Sequence, residues 1–533
     1  MLRAMSDGII ALSPYRGLSE RQSRLLGLRA IYEQTQYLGT RTDGSELVPW
    51  DERTYIGADG RQRLRPSAKR RPKVLVGLAS EVVDRLADKL VGEGRLPSIE
   101  IDGDDEAGIV QVACWEHGLD LAMTLDGPVV DLATLGACAM GFDLVGPRKR
   151  VTPWYFEPEW CEVVLVSQAY SPRALALAAE LFDASADAGA ALLATEDGAE
   201  FIVPDDAEPS DVLFLRHQYP HDGEASTRAV TWSRTDYLVG RTIRYADVQI
   251  AASRTADVAW EPVETDAHGW PFVPIVWTRM RGARPQDTEG PSLLTPAVIS
   301  QAEDADYLES LASDGVALNL GPLLYTIDAR PRNYRPELSE TTTGIEIPTD
   351  PNATLELESA GQGTGSTGLL EPSGAGAESA RERLTQLVDG VGRASGLREY
   401  DQSKASGTLS GTALQRVNAT SDARVKAYRA VVGRLITALV RKVGSALGRQ
   451  VTATLSWPSL YPPTLEDAQN AAQTAVMMQG AGMPQPFIIR WLGSQLEADD
   501  IEALVEDATK DEAQRLRDAM DVLDGQGGGT PGA

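Results

Sequence analysis

The sequence predicts an α+β protein in which long helices alternate with blocks of short strands. Between residues 412 and 447, apolar or small side chains recur at intervals of three and four, which is typical of an amphipathic helix. At about 1.5 Å per residue, this helix would be roughly 50 Å long. Between about 198 and 265, short apolar runs alternate with turn residues, which indicates an antiparallel sheet. A second block of short strand patterns, at 319–360, lies between two helical patterns.

The N-terminal half is predicted to begin with an amphipathic helix at 73–92, which ends where glycines interrupt the pattern. Further helices are expected at about 106–122 and 126–140, and the second of these leads into a strand at 141–145. Residues 154–160 are rich in aromatic side chains, which we interpret as core packing. The remaining predicted elements of this half are a strand at 161–168, a helix at 170–184 and strands at 212–219, 228–233 and 242–250.

The C-terminal half is predicted to contain a helix with Thr295 as its N-cap and Pro296 at its first position. The stretch 360–377 is of low complexity and rich in Gly, Ser and Thr. Thr412 and Gln415 have the spacing of a capping box at the start of the long helix. The other predicted elements are strands at 323–327, 344–347, 354–357 and 451–457, a helix at 378–395, a loop at 396–411 and a helical, acidic C-terminal segment.

The chain is strongly acidic, with 77 acidic against 50 basic residues and a formal net charge of −27. Such a surface repels nucleic acid at long range, so either DNA is not a partner or DNA passes without sticking. The imbalance is uneven along the chain. From Glu497 to the end there are eleven acidic and three basic residues, whereas residues 413–447 carry seven basic residues and one acidic residue. We interpret both runs as solvated helix faces.

The sequence motifs of several common enzyme classes are absent. The chain has no G-x-x-x-x-G-K-[ST] phosphate loop, no H-E-x-x-H and no G-x-S-x-G. Residues 363–368 match G-x-G-x-x-G, but a proline breaks the helix that should follow, so we interpret the match as a flexible linker. His217 and His221 are interpreted as structural or surface residues, and the acidic pair Asp499-Asp500 stands alone. We therefore predict no catalytic residue, no cofactor and no metal ligand.

Cysteine usage and hydropathy bear on the cellular setting. Cys114, Cys138 and Cys161 are odd in number and widely spaced, so we expect free thiols in a reducing compartment. The N-terminus lacks an apolar run before a small-residue cleavage site, so no signal peptide is expected. No stretch of uninterrupted apolar residues is long enough to cross a bilayer, so no membrane partner is expected.

Four segments occur in an order that is typical of one family. They are EVVDRLADKL at 81–90, PFVPIV at 271–276, SGTLSGTALQ at 406–415, and a late segment with WP at 457–458, QGAGM at 479–483, WLG at 491–493 and DDIE at 499–502. In this order and spacing the chain resembles the portal proteins of tailed bacteriophages, particularly those of long-tailed phages of actinobacteria. The resemblance extends over about 70–510.

The resemblance implies a phage portal fold, with an α/β wing, a helical stem, a β-containing clip and a helical crown, assembled as a ring. The implied layout is an N-terminal wing at 1–288, a stem helix at 289–318, a clip at 319–372, a second stem helix at 373–395, a tunnel loop at 396–411, the long helix and wing return at 412–462, and an acidic helical crown and tail at 463–533.

Portal resemblance also implies a function and a set of partners. The ring, expected to be a dodecamer, would form the DNA channel at one capsid vertex, for genome packaging, head–tail joining and DNA ejection, with no chemistry of its own. Its partners would be double-stranded DNA, the large terminase subunit, a head–tail adaptor protein, and the major capsid and scaffolding proteins. The protein would lie in the virion, and in the host cytoplasm during assembly.

The candidate channel contacts that the resemblance implies lie in the loop 396–411. Arg398 and Lys404 would make weak, salt-sensitive contacts with DNA phosphates, and the alternative is that both are ordinary solvated loop charges. The candidate DNA-facing residues of this loop are Arg398, Lys404, Ser406, Gly407, Ser410 and Gly411.

Two other classes of function stay open at this stage. One is another head–tail connector or capsid-associated structural protein, which would lack a loop between long helices facing a channel. The other is an enzyme, such as a hydrolase with scattered carboxylates, which would need an acid/base constellation in a concave site. Mass in solution distinguishes them, because a ring of many subunits favours the portal and a monomer or dimer with turnover favours the enzyme.

Overall fold

The computed structural model describes residues 19–37, 39–40, 46–47, 54–56, 62–64, 72, 74–92, 95–103, 110, 121–146, 149–184, 191–195, 198–220, 229–251, 260–284, 286–319, 323–327, 329–331, 357–359, 366–370, 375–397, 418–460, 465–496, 505 and 510. The helices are α1 (Glu20–Tyr32), α2 (Leu78–Val91), α3 (Leu121–Thr134), α4 (Pro172–Ala184), α5 (Pro296–Asn319), α6 (Ala375–Ser395), α7 (Ala419–Ala446), α8 (Leu465–Gly480) and α9 (Gln485–Leu496). The strands are β1 (Gly39–Thr40), β2 (Glu46–Leu47), β3 (Thr54–Ile56), β4 (Gln62–Leu64), β5 (Ser98–Gly103), β6 (Ala137–Val145), β7 (Arg150–Phe156), β8 (Cys161–Leu165), β9 (Leu192–Thr195), β10 (Gly198–Phe201), β11 (Val212–Pro220), β12 (Ala229–Leu238), β13 (Arg241–Tyr245), β14 (Val248–Ala251), β15 (Pro262–Asp266), β16 (Ile275–Arg279), β17 (Leu323–Ile327), β18 (Ala329–Pro331), β19 (Leu357–Ser359), β20 (Ser366–Leu370) and β21 (Val451–Ser456). This mixture of helices and antiparallel sheets confirms the α+β class.

Helix α7 lies in the largest apolar core of the protein. Its buried stripe, which includes Val425, Tyr428 and Val432, shares this core with the buried faces of α2 and α3. Strand β21 follows α7 and pairs with β5, and α7 packs on this ribbon. The long helix is therefore confirmed over 419–446, with Asn418 at its N-cap position. The expected capping box at 412–415 lies outside the described residues.

The boundary between α3 and β6 lies earlier in the chain than predicted. Helix α3 ends at Thr134 and β6 begins at Ala137, so the helix expected at 126–140 is wrong over its last residues. Gly136 adopts a φ of +82°, which interrupts helical geometry at little cost for glycine. Residues from Ala137 to Gly141 then pair with β16, a long-range contact that overrides the local pattern. The helix expected at 106–122 lies almost wholly outside the described residues.

Helix α2 also begins later than predicted, because the residues before it are held in an extended segment. The backbone N–H of Val74 donates to the Ser310 hydroxyl at 3.0 Å, and that of Val76 donates to Asp306 Oδ1 at 2.7 Å. Both acceptors lie on α5. These backbone hydrogen bonds replace the helical ones, and they attach the N-terminal part of the chain to α5.

The β region is built as two packed antiparallel sheets. A six-stranded sheet has the order β15-β13-β12-β11-β8, with β14 beside β12, and a three-stranded sheet has the order β16-β6-β7. Phe156, Leu215 and Trp277 meet in the core between the two sheets. Phe214 points to the opposite face, into a second core with α4 and the hairpin β9–β10. The first residues of β11 form a continuous apolar sequence because both faces of the strand are buried there.

The aromatic residues at 154–160 lie only partly in the core, whereas His217 has a structural role, as predicted. Phe156 and Trp160 are buried, but Tyr155 is exposed. The His217 ring lies edge-on to Phe156 at 5.3 Å and stacks on Tyr219 at 4.5 Å, between ring centroids. Burial lowers the pKa of His217 to about 4, so this imidazole is neutral at physiological pH. His221 lies outside the described residues.

The two described cysteines are free thiols inside the protein, as the cysteine count predicted. Cys138 and Cys161 are both fully buried, and neither forms a disulfide with another described residue. Burial raises the pKa of both thiols well above the ordinary value, so neither forms a thiolate nucleophile at neutral pH. Cys114 lies outside the described residues.

Candidate stalk and channel segment

Helices α5 and α6, with the strands between them, form a unit that we call the stalk (residues 296–395). The two helices pack against each other. Val298 on α5 and Val391 on α6 are both buried in the main core, and Leu323, just after α5, pairs with Leu370, just before α6. The helices therefore run in opposite directions, one leaving the body of the protein and the other returning to it.

Local sequence explains how the stalk begins. Pro296 occupies the first helical position, and the Val298 N–H donates to the Thr295 hydroxyl at 3.4 Å, as expected for an N-cap. The base of α5 also carries buried polar anchors. Asp306 accepts from the Tyr37 hydroxyl at 3.2 Å as well as from Val76, and burial raises the pKa of its carboxyl. The base of the stalk is therefore fixed by apolar and polar contacts together.

The outer half of α6 is markedly more exposed than its base. Leu387, Val391 and Leu397 are buried, whereas almost every described side chain from 378 to 386 faces solvent. The exposed residues of this outer half are Glu378, Ser379, Arg381, Glu382, Arg383, Thr385 and Gln386. A polar helix of this kind does not bury enough apolar surface to be held by its own body alone.

The tip of the stalk contains strands where part of the sequence predicted a linker. Residues 366–370 form β20 and pair in register with β17, and β18 pairs with β19. The flexible linker expected at 363–368 is therefore wrong at 366–368, and α6 begins at Ala375, before the helix expected at 378–395. The strand expected at 323–327 is confirmed, whereas the strand expected at 344–347 lies outside the described residues.

The predicted DNA-facing residues all lie outside the described residues. These are Arg398, Lys404, Ser406, Gly407, Ser410 and Gly411. The chain on either side is described. Gly396 ends α6 with a φ of +73°, Leu397 is buried in the main core, and Asn418 is buried at the start of α7. Both roots of the loop are therefore held by the body.

The basic run on α7 is only partly a solvated face, so that interpretation is wrong for three of its members. Arg429 is buried, donates to the Pro458 carbonyl at 2.6 Å, and lies 5.1 Å from the Trp457 ring centroid. Arg441 forms an ion pair with Asp211 at 3.3 Å and a closer one with Glu208. These cations attach α7 to other segments of the body.

Lys442 is the most deeply buried of these cations. Its ammonium donates to the carbonyls of Val273 and Ile275 at 3.0 Å and 2.9 Å, with Asp211 at 3.7 Å. Burial lowers the pKa of Lys442 to about 8, against the opposing effect of Asp211. A sequence signal for this burial exists, because position 442 adjoins the apolar stripe that contains Leu439 and Val443.

Arginines of α1 hold that helix against the body in a second network that the sequence did not reveal. Arg29 pairs with Asp131 at 2.5 Å and with Glu159 at 2.8 Å, and both carboxylates are almost fully buried. Burial alone would lower the pKa of Arg29, but the two carboxylates raise it well above its ordinary value. Arg21 pairs with Glu289 at 2.6 Å. Asp131, Glu159 and Glu289 thus each have an arginine of α1 as a partner.

Two further searches of the described residues bear on chemistry and on location. No group of three or more His, Cys, Asp or Glu side chains in the described segments is placed to hold a metal ion. Among the helices of the same segments, none combines the length and the apolar character that a bilayer crossing requires.

Three solved structures can be superposed on most of the chain. A chain from the neck of an empty GTA particle, computed with C6 symmetry, gives a TM-score of 0.36 at 12% identity, over 79% of this chain and 91% of that chain. A chain from the neck of a native GTA particle, computed with C12 symmetry, gives 0.33 at 13% identity, with 79% and 91% covered. A chain from the virion of the native gene transfer agent particle gives 0.30 at 12% identity, with 78% and 89% covered.

Similarities at these TM-scores and identities carry no argument about function. No protein-family model matches the chain, and no curated protein matches it. The functional proposal therefore depends on the elements of this chain and on their arrangement.

Proposed function

We propose that the chain is a portal protein, one subunit of a ring that forms the DNA channel at a capsid vertex of a tailed phage. The stalk is the observation that carries this proposal. Two antiparallel helices leave and rejoin an α/β body, and paired strands close their outer end. In this reading α5 and α6 are the stem, residues 319–372 are the clip, and the body that contains both sheets and α7 is the wing.

Neighbouring subunits would provide the contacts that the stalk lacks in the single chain. The outer half of α6 is exposed in the monomer, and Val388 on the same helix is an exposed apolar residue. A closed ring places the stem of each subunit between two others, through head-to-tail contacts of one kind. The polar side chains of the outer half would then form the polar contacts of an interface.

The C-terminal helices α8 and α9 offer a second surface for contacts between copies. Val476 and Met477 on α8 are 68% and 65% exposed, and Phe487 on α9 is 53% exposed. Large apolar side chains grouped on a short helical hairpin indicate an interaction site. In the proposed ring this hairpin belongs to the crown, where the next copy of the chain would cover these side chains.

The channel would act mechanically. A net charge of −27 per subunit gives a ring that repels the DNA backbone, so the duplex slides without a deep binding minimum. The loop 396–411 would face the channel, with Arg398 and Lys404 making weak, salt-sensitive contacts. The clip would dock the ATP-driven terminase during packaging and the head–tail adaptor afterwards, and capsid and scaffolding proteins would surround the ring.

Electron microscopy of the purified chain, with mass photometry alongside, tests the proposal. A closed ring, dodecameric in the simplest case, with a central hole wide enough for a DNA duplex is the expected result. If the free chain is monomeric, co-expression with the capsid and scaffolding proteins is expected to produce the ring. A stable dimer or tetramer without a channel under both conditions contradicts the portal role.

A pair of variants at one position makes the test specific. Met477→Glu places a charge on the exposed apolar surface of α8 and is expected to reduce the fraction of rings. Met477→Leu keeps the side chain apolar and helix-compatible, so ring formation should be retained. If both variants assemble like the wild type, the hairpin does not contact another copy, and the stem alone must hold the ring.

A further inference from the structure

A basic cleft lies on the body, away from the stalk, between strand β16, helix α7 and the turn before β11. Its volume is about 330 Å³, within the range of small-ligand sites. The polar groups of its wall come from three parts of the chain that are far apart in sequence. Its charged side chains are Glu208, Asp211, Arg279, Arg434, Arg441 and Lys442.

The charges of this cleft do not balance. Four cationic and two acidic side chains line it, in a chain whose overall charge is strongly negative. Both acidic side chains are already engaged by Arg441, and Asp211 also faces Lys442 at 3.7 Å. The cationic side chains of the wall therefore outnumber its acidic ones by two.

Among the cations that line the cleft, Arg434 differs in its contacts with the described residues. Its half-exposed guanidinium forms no hydrogen bond or ion pair with another residue in the described segments. Partial burial and the nearby charges of Arg281 and Arg279 lower the pKa of Arg434. The charged form of this guanidinium is therefore less stable here than in water. Arg279 is oriented by the carbonyls of Arg284, at 3.1 Å, and Asp287.

We propose that this cleft binds a phosphate group between the guanidinium groups of Arg434 and Arg279. Inorganic phosphate carries between one and two negative charges at neutral pH and a DNA phosphodiester carries one, so a wall with more cationic than acidic side chains attracts either. Guanidinium groups also bind phosphate oxygens in pairs, with two parallel N–H···O bonds. The phosphate has two sources, free phosphate and the backbone of DNA, and the same groups would bind either one.

Calorimetric titration of the full chain with inorganic phosphate, at constant ionic strength, tests this inference. Saturable binding is expected for the wild type. Arg434→Gln should weaken it at least about tenfold, which corresponds to about 1.4 kcal/mol. This variant is expected to fold, because Arg434 forms no hydrogen bond or ion pair with another described residue. Thermal unfolding without phosphate checks that it does.

Lys426→Gln is the matched control, because Lys426 is an exposed cation on the same helix, outside the cleft. It should leave phosphate binding unchanged. An equal loss in both variants would mean that phosphate responds only to overall charge, and would overturn the proposal. So would the absence of saturable binding by the wild type.

A second titration, with a short DNA duplex, separates the two sources. If the duplex binds, competes with phosphate and is weakened by Arg434→Gln, the DNA backbone is the source. If phosphate binds and the duplex does not, the site takes free phosphate. Neither result depends on ring formation, so the cleft and the portal role can fail independently.

Discussion

Lys442 provides a quantitative test of the packing of α7 on the body. The perturbation is Lys442→Met, which keeps the length of the side chain and removes its charge. The variant loses the hydrogen bonds to the carbonyls of Val273 and Ile275 at every pH. The absolute change in stability therefore mixes several effects, but the pH dependence of the change isolates the proton on Lys442.

The magnitude follows from the two pKa values of Lys442. Burial lowers the pKa from an ordinary 10.5 to about 8 in the folded protein. Between these values the unfolded chain binds more protons than the folded chain, so stability rises with pH. With about 1.36 kcal/mol per pKa unit, the wild type should gain about 2.5 kcal/mol over Lys442→Met from pH 7 to pH 10.

The assay is urea unfolding, monitored by tryptophan fluorescence, of both proteins at pH 7, 8, 9 and 10. The difference between their free energies of unfolding is the measured quantity, because other titrating groups are common to both. Lys426→Met, which removes an exposed lysine of the same helix, serves as the control. A wild-type–Lys442→Met difference that stays constant with pH, or falls, would refute the burial of the Lys442 ammonium.

Three further predictions concern the body. Gly136→Ala should destabilise the protein by about 2–4 kcal/mol, because φ is +82° and a Cβ would lie 2.2 Å from the Gly290 carbonyl oxygen; Gly146→Ala, with a φ of +76° and open space, should cost only about 1–2 kcal/mol in urea unfolding. Arg29→Met should lower the free energy of unfolding by about 3–5 kcal/mol, because it leaves two buried carboxylates without their cation; a change below about 1 kcal/mol would contradict this. Arg429→Met should lower the melting temperature through loss of its carbonyl and ring contacts, and an unchanged value in calorimetry would show these contacts to be unimportant.

Elements with strong local signals were predictable, and elements decided by distant pairing were not. The helix beginning at Pro296 and the strand at 323–327 agree with the sequence patterns, because capping and apolar periodicity are local properties. The predicted end of the helix at 126–140 is wrong, because residues 137–141 pair with a strand that lies far along the chain. The strand at 366–370 was missed for the same reason, because it depends on pairing with β17 and Gly368 weakens its local strand pattern.

The same contrast holds for the candidate channel loop, which the sequence identified, and the buried cations, which it did not. The sequence identified the loop 396–411 and the helices beside it, but the six proposed DNA-facing residues remain predictions because they lie outside the described residues. The buried cations were missed. Lys442 and Arg429 carry charges that a sequence pattern assigns to solvent, and only their distant acceptors make their burial possible.

The sequence by itself determined the α+β class, the order of helices and strand blocks, and the acidic charge of the surface. These properties depend on residues close together in the chain and on composition. Only the tertiary structure decided which cations are buried and where a basic cleft forms. Lys442 and the Ile275 carbonyl are 167 residues apart, so no local pattern contains their contact. Their contact is stable because carbonyl and carboxylate oxygens replace the water that would otherwise hydrate the ammonium.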